Sequence, residues 1–313
     1  MNLLDISGLS VAYGGVPALE AITLSVGRGE IVGIVGESGS GKSTLALAVP
    51  RLLPPTAQVT AGRILLDGID LLSLDRAALR DMRGGSVAMV FQDPATSFSP
   101  LAPIGRQLEI LNWRDRTGDR AAKRRRIAAM LADVGIADPE RRLDAYPHEL
   151  SGGMLQRIAI AAALLASPAL MIADEPTTAL DVTTEAQILH LLRGARDRHG
   201  TAILVISHQL GVIAEICDRV AVMYGGVVVE EAPVEDLFGR PAHPYTRALL
   251  ACEPGLLPAG AQRLPVIPGI VSRPTVGCRF ADRCGHAEPD CRTTATPVRS
   301  AGDGHTYLCM RAA

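Results

Sequence analysis

The chain has 313 residues, 48% of them hydrophobic and 20% charged, with 31 Lys+Arg against 33 Asp+Glu and a formal net charge of −2. That length allows about two domains with ample buried core, and the composition excludes a globally disordered chain. Near-neutral charge and an aromatic content of 3% argue against a protein held to nucleic acid by bulk charge or base stacking.

The N-terminus, MNLLDISGLS, has no basic n-region and no long apolar stretch, so a secretory signal is not expected. Leu3 to Tyr13 and Ile22 to Val26 read as strands punctuated by Gly14-Gly15 and Gly27. Ile31 to Val35 is a continuous apolar run, the pattern of a strand buried on both faces. A glycine-rich loop follows, then a predicted helix from Lys42 to Leu53, stopped by Pro54-Pro55. Residues 86–91 read as a further buried strand, and residues 102–149 as mainly helical and rich in charge. Ser151 to Ala166 is a predicted helix with Ser151 as N-cap, followed by a buried strand over Ala169 to Ala173. Val182 to His199 reads as amphipathic helix and Ala202 to Ile206 as strand. Val220 to Tyr224 and Val227 to Glu231 flank Gly225-Gly226 as a hairpin. Strands alternating with helices predict a mainly parallel sheet covered on both faces, with an antiparallel layer from the early strands. The most apolar run, Ile158 to Ala173, is short for a membrane span and is broken by Pro168, so a cytosolic chain is expected, with any membrane contact made through a partner.

Two segments carry chemistry. Gly36-Glu37-Ser38-Gly39-Ser40-Gly41-Lys42-Ser43 fits G-x-x-x-x-G-K-[ST] in full, after a buried strand and opening a helix. Glycines let backbone N–H groups turn inward around phosphates, and the helix N-terminus adds partial positive charge. Lys42 is placed to reach the β- and γ-phosphates, and the Ser43 hydroxyl to bind Mg2+. Later, the strand Leu170-Met171-Ile172-Ala173 ends in Asp174-Glu175. Asp174 is placed for the Mg2+ shell and Glu175 to polarise an attacking water. Together the two segments point to a P-loop NTPase.

Leu150-Ser151-Gly152-Gly153-Met154-Leu155-Gln156-Arg157 resembles the signature motif of ABC-type ATPases. Gln92, after Val90-Phe91, is similar to the Q-loop glutamine; Ala179-Leu180-Asp181 resembles the D-loop. His208, after Val205-Ile206-Ser207, resembles the switch histidine, and Tyr13 the aromatic that stacks on adenine. The order of the motifs is also that family's, and the resemblance covers about residues 1–250. It implies an α/β P-loop NTPase fold with a mixed-sheet core, an antiparallel β subdomain and a helical subdomain at about residues 93–165. It implies that ATP is bound by Tyr13, residues 36–43, Thr44, Gln92 and Asp174. Ser151, Gly152, Gly153, Gln156 and Asp181 would serve the nucleotide of the other subunit in a head-to-tail dimer. Catalysis falls to Glu175, His208 and Gln92, and Mg2+ to Ser43, Gln92 and Asp174. One departure is Gln209, where the family commonly has an acid; the switch role belongs to His208.

Three segments resemble the oligopeptide/dipeptide/nickel importer branch: Gln92-Asp93-Pro94-Ala95-Thr96-Ser97-Phe98-Ser99-Pro100, His243-Pro244-Tyr245-Thr246-Arg247-Ala248-Leu249-Leu250, and a tail with Ile267-Pro268-Gly269 and Gly277-Cys278-Arg279-Phe280-Ala281-Asp282-Arg283-Cys284. That branch implies an ATPase energising a bacterial importer, most simply of di- or oligopeptides, with nickel, glutathione or another small solute as the alternative. A soluble, non-transport ABC ATPase is the more distant reading, because the chain has one cassette, no inserted coiled coil and no net positive charge. Partners implied are two membrane permeases, an extracytoplasmic binding protein and a second, non-identical ATPase, with no nucleic acid; the place implied is the cytoplasmic face of the inner membrane.

Arg114, Arg116, Arg120, Lys123, Arg124, Arg125 and Arg126 form a basic run, read either as a solvated helix face or as a surface near lipid headgroups or the permease. Composition shifts near Cys252, which divides the chain into an ATPase domain, 1–252, and a C-terminal extension, 253–313. Cys217 and Cys252 read as packing residues. Cys278, Cys284, Cys291 and Cys309 suit Zn2+ or an iron–sulfur cluster, and their spacing leaves the metal open. The branch resemblance implies a [4Fe–4S] cluster, with His286 and His305 as spare ligands.

Overall fold

A computed structural model describes residues 2–114, 119–256, 265–274 and 276–311. Their strands, in chain order, are β1 (Asn2–Tyr13), β2 (Val16–Gly27), β3 (Ile31–Val35), β4 (Ala57–Leu66), β5 (Ile69–Asp70), β6 (Val87–Val90), β7 (Leu170–Asp174), β8 (Ala202–Ile206), β9 (Arg219–Tyr224), β10 (Val227–Pro233), β11 (Val298–Gly302) and β12 (His305–Leu308). The chain divides into two compact units. One comprises Met1–Leu3, Val26–Glu30 and Asp70–Val205; the other comprises Leu4–Ser25, Ile31–Ile69 and Ile206–Ala313.

The first unit carries β6, β7 and most of β8, in the order β8-β7-β6. β6 and β7 are parallel, with Val87 opposite Leu170 and Val90 opposite Ala173. Every residue of β7 is buried, which explains its unbroken apolar run. The helix Arg120–Asp133 buries Ile127, Ala128 and Leu131 and packs against the helix Gly152–Leu165. The latter is apolar on almost every side and is correspondingly buried. The helix Val182–His199 starts at the Asp181 cap and ends at Gly200, whose φ of 65° is the left-handed stop that glycine takes without strain.

The second unit holds an antiparallel layer and a mixed one. In the first, the order is β2-β1-β4-β5. Leu4 and Ile6 lie opposite Leu66 and Ile64 and are buried. The pairing slips between Ser7 and Ser10, where Gly62 (φ 88°) crosses Gly8 so closely that an added Cβ would lie 2.5 Å from the Gly8 carbonyl carbon. In the mixed layer the order is β11-β12-β10-β9-β3. β3 runs parallel to β9, Val32 opposite Arg219 and Val35 opposite Val222. β9 and β10 form the expected hairpin around Gly225 (φ 56°) and Gly226 (φ 91°).

Three expectations need correction. The helix that opens at Lys42 ends at Ala48 rather than Leu53. Pro50 has no N–H to continue the ladder, and Arg51 turns to a φ of 55°, so the stop comes before Pro54-Pro55. β2 starts six residues before Ile22, at Val16, because it pairs along β1 through residues too exposed to show a clear apolar alternation. The tail also has more regular structure than its composition predicts: β11 and β12 pair antiparallel, and β12 adds to β10 through Glu230–Tyr307 and Glu231–Thr306. Among the described residues, no helix is long and apolar enough to cross a membrane.

A buried carboxylate ties the tail to β10. Glu230 accepts the backbone N–H of Ala242 at 2.7 Å and of His243 at 2.8 Å, and meets His305 Nε2 at 2.7 Å. His305 and Glu230 side chains are 1% and 0% exposed. Removing the carboxylate strands three buried polar groups. Glu230→Ala is therefore expected to cost about 3–5 kcal/mol in urea unfolding of the full chain. A loss below about 1 kcal/mol, the size of an ordinary surface change, would contradict this role.

Candidate functional site

The glycine-rich loop runs from the end of β3 to the helix Lys42–Ala48. Gly36 has a φ of 148°, and a Cβ there would stand 2.1 Å from the Met223 carbonyl oxygen, so only glycine lets the loop leave β3 along β9. Gly41 (φ 106°) is the N-cap of the helix and offers no side chain to its first-turn N–H groups. Lys42, almost fully buried, folds its ammonium back into the loop and donates to the Gly36 carbonyl at 2.8 Å and the Glu37 carbonyl at 3.1 Å. Ser38, Gly39 and Ser43 are exposed, and Ser40 is buried. The Tyr13 hydroxyl lies 3.3 Å from Thr44 Oγ1, which ties the β1 aromatic to the start of the same helix. His208 is exposed, next to Ser207, whose Oγ accepts the Gln209 N–H at 3.0 Å.

In the other unit, β7 delivers Asp174 buried at its end and Glu175 in a left-handed conformation, φ 49°. A non-glycine residue held there carries local strain, which concentrates at working sites. Glu175 Oε2 accepts from Gln92 Nε2 at 2.8 Å and from Thr178 Oγ1 at 2.9 Å. The sequence-predicted glutamine and glutamate, 83 positions apart, thus meet side chain to side chain. Thr178 was not foreseen; its place three residues after Glu175, in a turn, is the only local signal.

Ser151 caps the helix Gly152–Leu165, its Oγ accepting the Met154 N–H at 3.3 Å. Ser151 and Gly152 are exposed, and a Cβ on Gly152 would meet nothing within 4 Å. Gly153 faces Thr184, whose Cγ2 would lie 2.8 Å from an added Cβ. Asp181 caps the next helix, accepting the Thr184 N–H at 3.0 Å and its hydroxyl at 2.7 Å. Those two hydrogen bonds, the backbone one first, hold the Asp181 carboxyl below its usual range. Gln156 differs from its neighbours: it is 2% exposed, and among the described residues neither amide atom has a hydrogen-bond partner, so it faces the interior rather than the exposed helix end.

The basic run is mostly engaged within its own unit. Arg124 pairs with Asp144 at 2.7 Å, Arg120 with Glu109 at 3.6 Å and Arg125 with Asp119 at 3.8 Å. Arg126 donates to the Leu165 carbonyl at 2.9 Å and Arg114 to the Asp81 carbonyl at 2.6 Å. Arg116 lies outside the described residues. This is the pattern of a solvated, locally paired face.

Cys278, Cys284, Cys291 and Cys309 are all free thiols and line one cavity of about 20 Å3, together with His243 and His286. The His286 N–H points to Cys284 Sγ at 3.4 Å and the Glu288 N–H to Cys291 Sγ at 3.5 Å. Burial pushes the Cys278 thiol up to about 11 and raises Cys284. Four sulfur donors on one cavity are the donor set of a zinc or iron–sulfur centre, while burial itself disfavours their thiolate forms. Among the described residues, however, no group of three or more His, Cys, Asp or Glu side chains is drawn closely enough together to hold a metal ion. His305, read as the other spare ligand, does not line that cavity, and its Nε2 meets Glu230 at 2.7 Å. Cys217 is buried, with its thiol raised by desolvation, as a packing residue should be.

The chain matches the ABC transporter family over residues 19–178 and the oligopeptide/dipeptide transporter C-terminal region over residues 229–291. It is 49% identical, over 99% of its own length and 95% of the relative's, to a Sinorhizobium fredii protein named probable peptide ABC transporter ATP-binding protein. It is 43% identical to the dipeptide transport ATP-binding protein of Haemophilus influenzae, over 96% and 93% of the two chains. Among solved structures, it resembles an ATP-binding cassette captured as a dimer in a post-hydrolysis state with ADP and Pi, with a TM-score of 0.66 and 29% identity over 74% of this chain and 98% of that one.

Proposed function

The chain belongs to the ABC transporter ATP-binding family, in the branch that carries the oligopeptide/dipeptide C-terminal region, and from that membership we propose that it energises a peptide importer by binding and hydrolysing ATP. The observation that carries this reading is a phosphate-type loop closed by Lys42, on the same chain as a Glu175 carboxylate held by Gln92 and Thr178. On ATP binding, Lys42 exchanges the Gly36 and Glu37 carbonyls for phosphate oxygens, and the loop N–H groups receive the rest of the charge. Tyr13 stacks on the base. Glu175 accepts the proton of the attacking water, and His208 contacts the γ-phosphate. Ser43, Asp174 and Gln92 would hold Mg2+, which when bound neutralises charge on the phosphate oxygens.

The exposed Ser151 cap and Gly152, at the start of a 14-residue helix, serve the nucleotide of a second subunit, with Gly153 and Asp181 beside them. The likeness to a cassette solved as a dimer supports pairing with a second ATPase subunit, which we place head to tail. The second ATPase is non-identical, and two permeases carry the solute at the cytoplasmic face of the membrane. The names of the relatives favour peptides as cargo over nickel or glutathione. We divide the chain into an ATPase domain over 1–252, with a helical subdomain at about 93–165, and an extension over 253–313.

The four tail cysteines would hold a [4Fe–4S] cluster in this reading, on the branch resemblance and their four free thiols, and would have to draw closer together than they stand here. The cavity volume, about 20 Å3, favours a single zinc as the second reading, since it has room for about one water-sized sphere.

Glu175→Gln is expected to keep ATP binding, because the shape is retained, and to lose hydrolysis at least about 100-fold in the assembled transporter. Turnover within about tenfold of the parent would remove Glu175 from the base role. Anaerobically purified protein is expected to be brown, with about four irons per chain. One tightly held zinc per chain would establish the second reading, and an ordered tail without metal would defeat both.

A further inference from the structure

Glu37 is an acid standing inside a loop that receives a polyphosphate. Every polar group it has is engaged. Its N–H donates to the Tyr245 hydroxyl at 2.9 Å, and its carbonyl accepts from Lys42 Nζ at 3.1 Å. Its carboxylate takes both arms of the Arg283 guanidinium, at 2.7 Å to Oε2 and 3.0 Å to Oε1. Arg283 comes from the tail, 246 positions away, and its side chain is 5% exposed against 28% for Glu37. The rest of the guanidinium is fixed by the Pro268 and Ile267 carbonyls, both at 2.8 Å, and by the Tyr224 hydroxyl at 3.2 Å. A second tail arginine, Arg273, grips the same loop from outside, donating to the Gly39 carbonyl at 2.8 Å and the Pro17 carbonyl at 2.6 Å.

A forked, buried guanidinium on a carboxylate is a strong and directional pair. Its effect is electrostatic: it cancels the one negative side chain among residues 36–43 and holds it to one side. We propose that Arg283 is a positioning residue for nucleotide binding, which keeps the Glu37 carboxylate neutralised and turned away from the incoming phosphates. The inference rests on reading residues 36–43 as the ATP phosphate loop. It gives the extension a direct part in ATP affinity, separate from whatever its cysteines bind.

Equilibrium dialysis of the full-length chain against Mg·ATP tests it, using the parent, Lys42→Ala, Arg283→Ala, Arg283→Lys and the double variant Arg283→Ala/Glu37→Gln. Arg283→Ala is expected to weaken binding about tenfold, the size of one charge-assisted hydrogen bond in an equilibrium constant. Removing the exposed acid as well is expected to bring the double variant back to within about threefold of the parent. Arg283→Lys keeps the cation without the fork and is expected to lose about threefold. If Arg283→Ala does not fold, Arg283→Lys with and without Glu37→Gln carries the same comparison. A merely structural role for Arg283 would leave the double variant as weak as the single one, and that result, or affinity unchanged in both arginine variants, would overturn the proposal. Lys42→Ala separates the two claims: lost binding there with none in the arginine variants sinks this inference alone, while unchanged binding there sinks the phosphate-loop reading beneath it.

Discussion

A loop that binds phosphate through backbone N–H groups must be held open by its surroundings, because its own glycines supply no side chains to do so. Much of the second unit answers that constraint. β3 and β9 pair in parallel up to Val35 and Val222, so the Met223 carbonyl lies against Gly36 and bars any Cβ there. Gly226 donates its N–H to the Ser40 carbonyl at 3.0 Å, so the turn of the β9–β10 hairpin also braces the loop. Tyr245 takes the Glu37 N–H, and Lys42 fills the space with its own ammonium. The loop is braced at each of these points, which on this account lowers the ordering cost of binding, and Lys42 must leave the Gly36 and Glu37 carbonyls as phosphate enters.

The same physics runs through Glu175, the proposed base. Glu175 sits in a strained, left-handed backbone, with an amide and a hydroxyl donated to one carboxylate oxygen. Such a carboxylate is oriented rather than buried, which suits a group that must accept a proton and release it. The tail applies the idea a third time, at Glu230. There the carboxylate is fully enclosed by two backbone N–H groups and His305, so it fixes structure instead of reacting. These acids differ in role because they differ in what surrounds them.

Much of this was legible in the sequence. Val182–His199 and Ala202–Ile206 match their predicted bounds, since Asp181, Gly200 and unbroken apolar runs mark them locally. The phosphate loop, the Glu175 strand end and the Ser151 cap are likewise short-range patterns, legible without knowing the fold. The strand Ala57–Leu66 was not, because half of its residues are exposed and its partner β1 lies some fifty residues earlier. The tail hairpin was overlooked although Asp303-Gly304 is a turn signal; the surrounding glycines and prolines read as irregular chain. The Arg283–Glu37 pair could not have been found, since no local pattern links residues 246 positions apart. Gln156, which motif order places with the nucleotide, is turned inward by helix periodicity, a burial that no single motif position foretells.

The central claim is that residues 36–43 form a preorganised loop that takes up ATP phosphates. Hydrogen exchange of the full-length chain, with and without Mg·ATP, reads it most directly. The account predicts that amides over residues 36–45 exchange at least about tenfold more slowly with nucleotide, while β11 and β12 exchange at unchanged rates. Exchange in residues 36–45 that is indifferent to saturating Mg·ATP would contradict it.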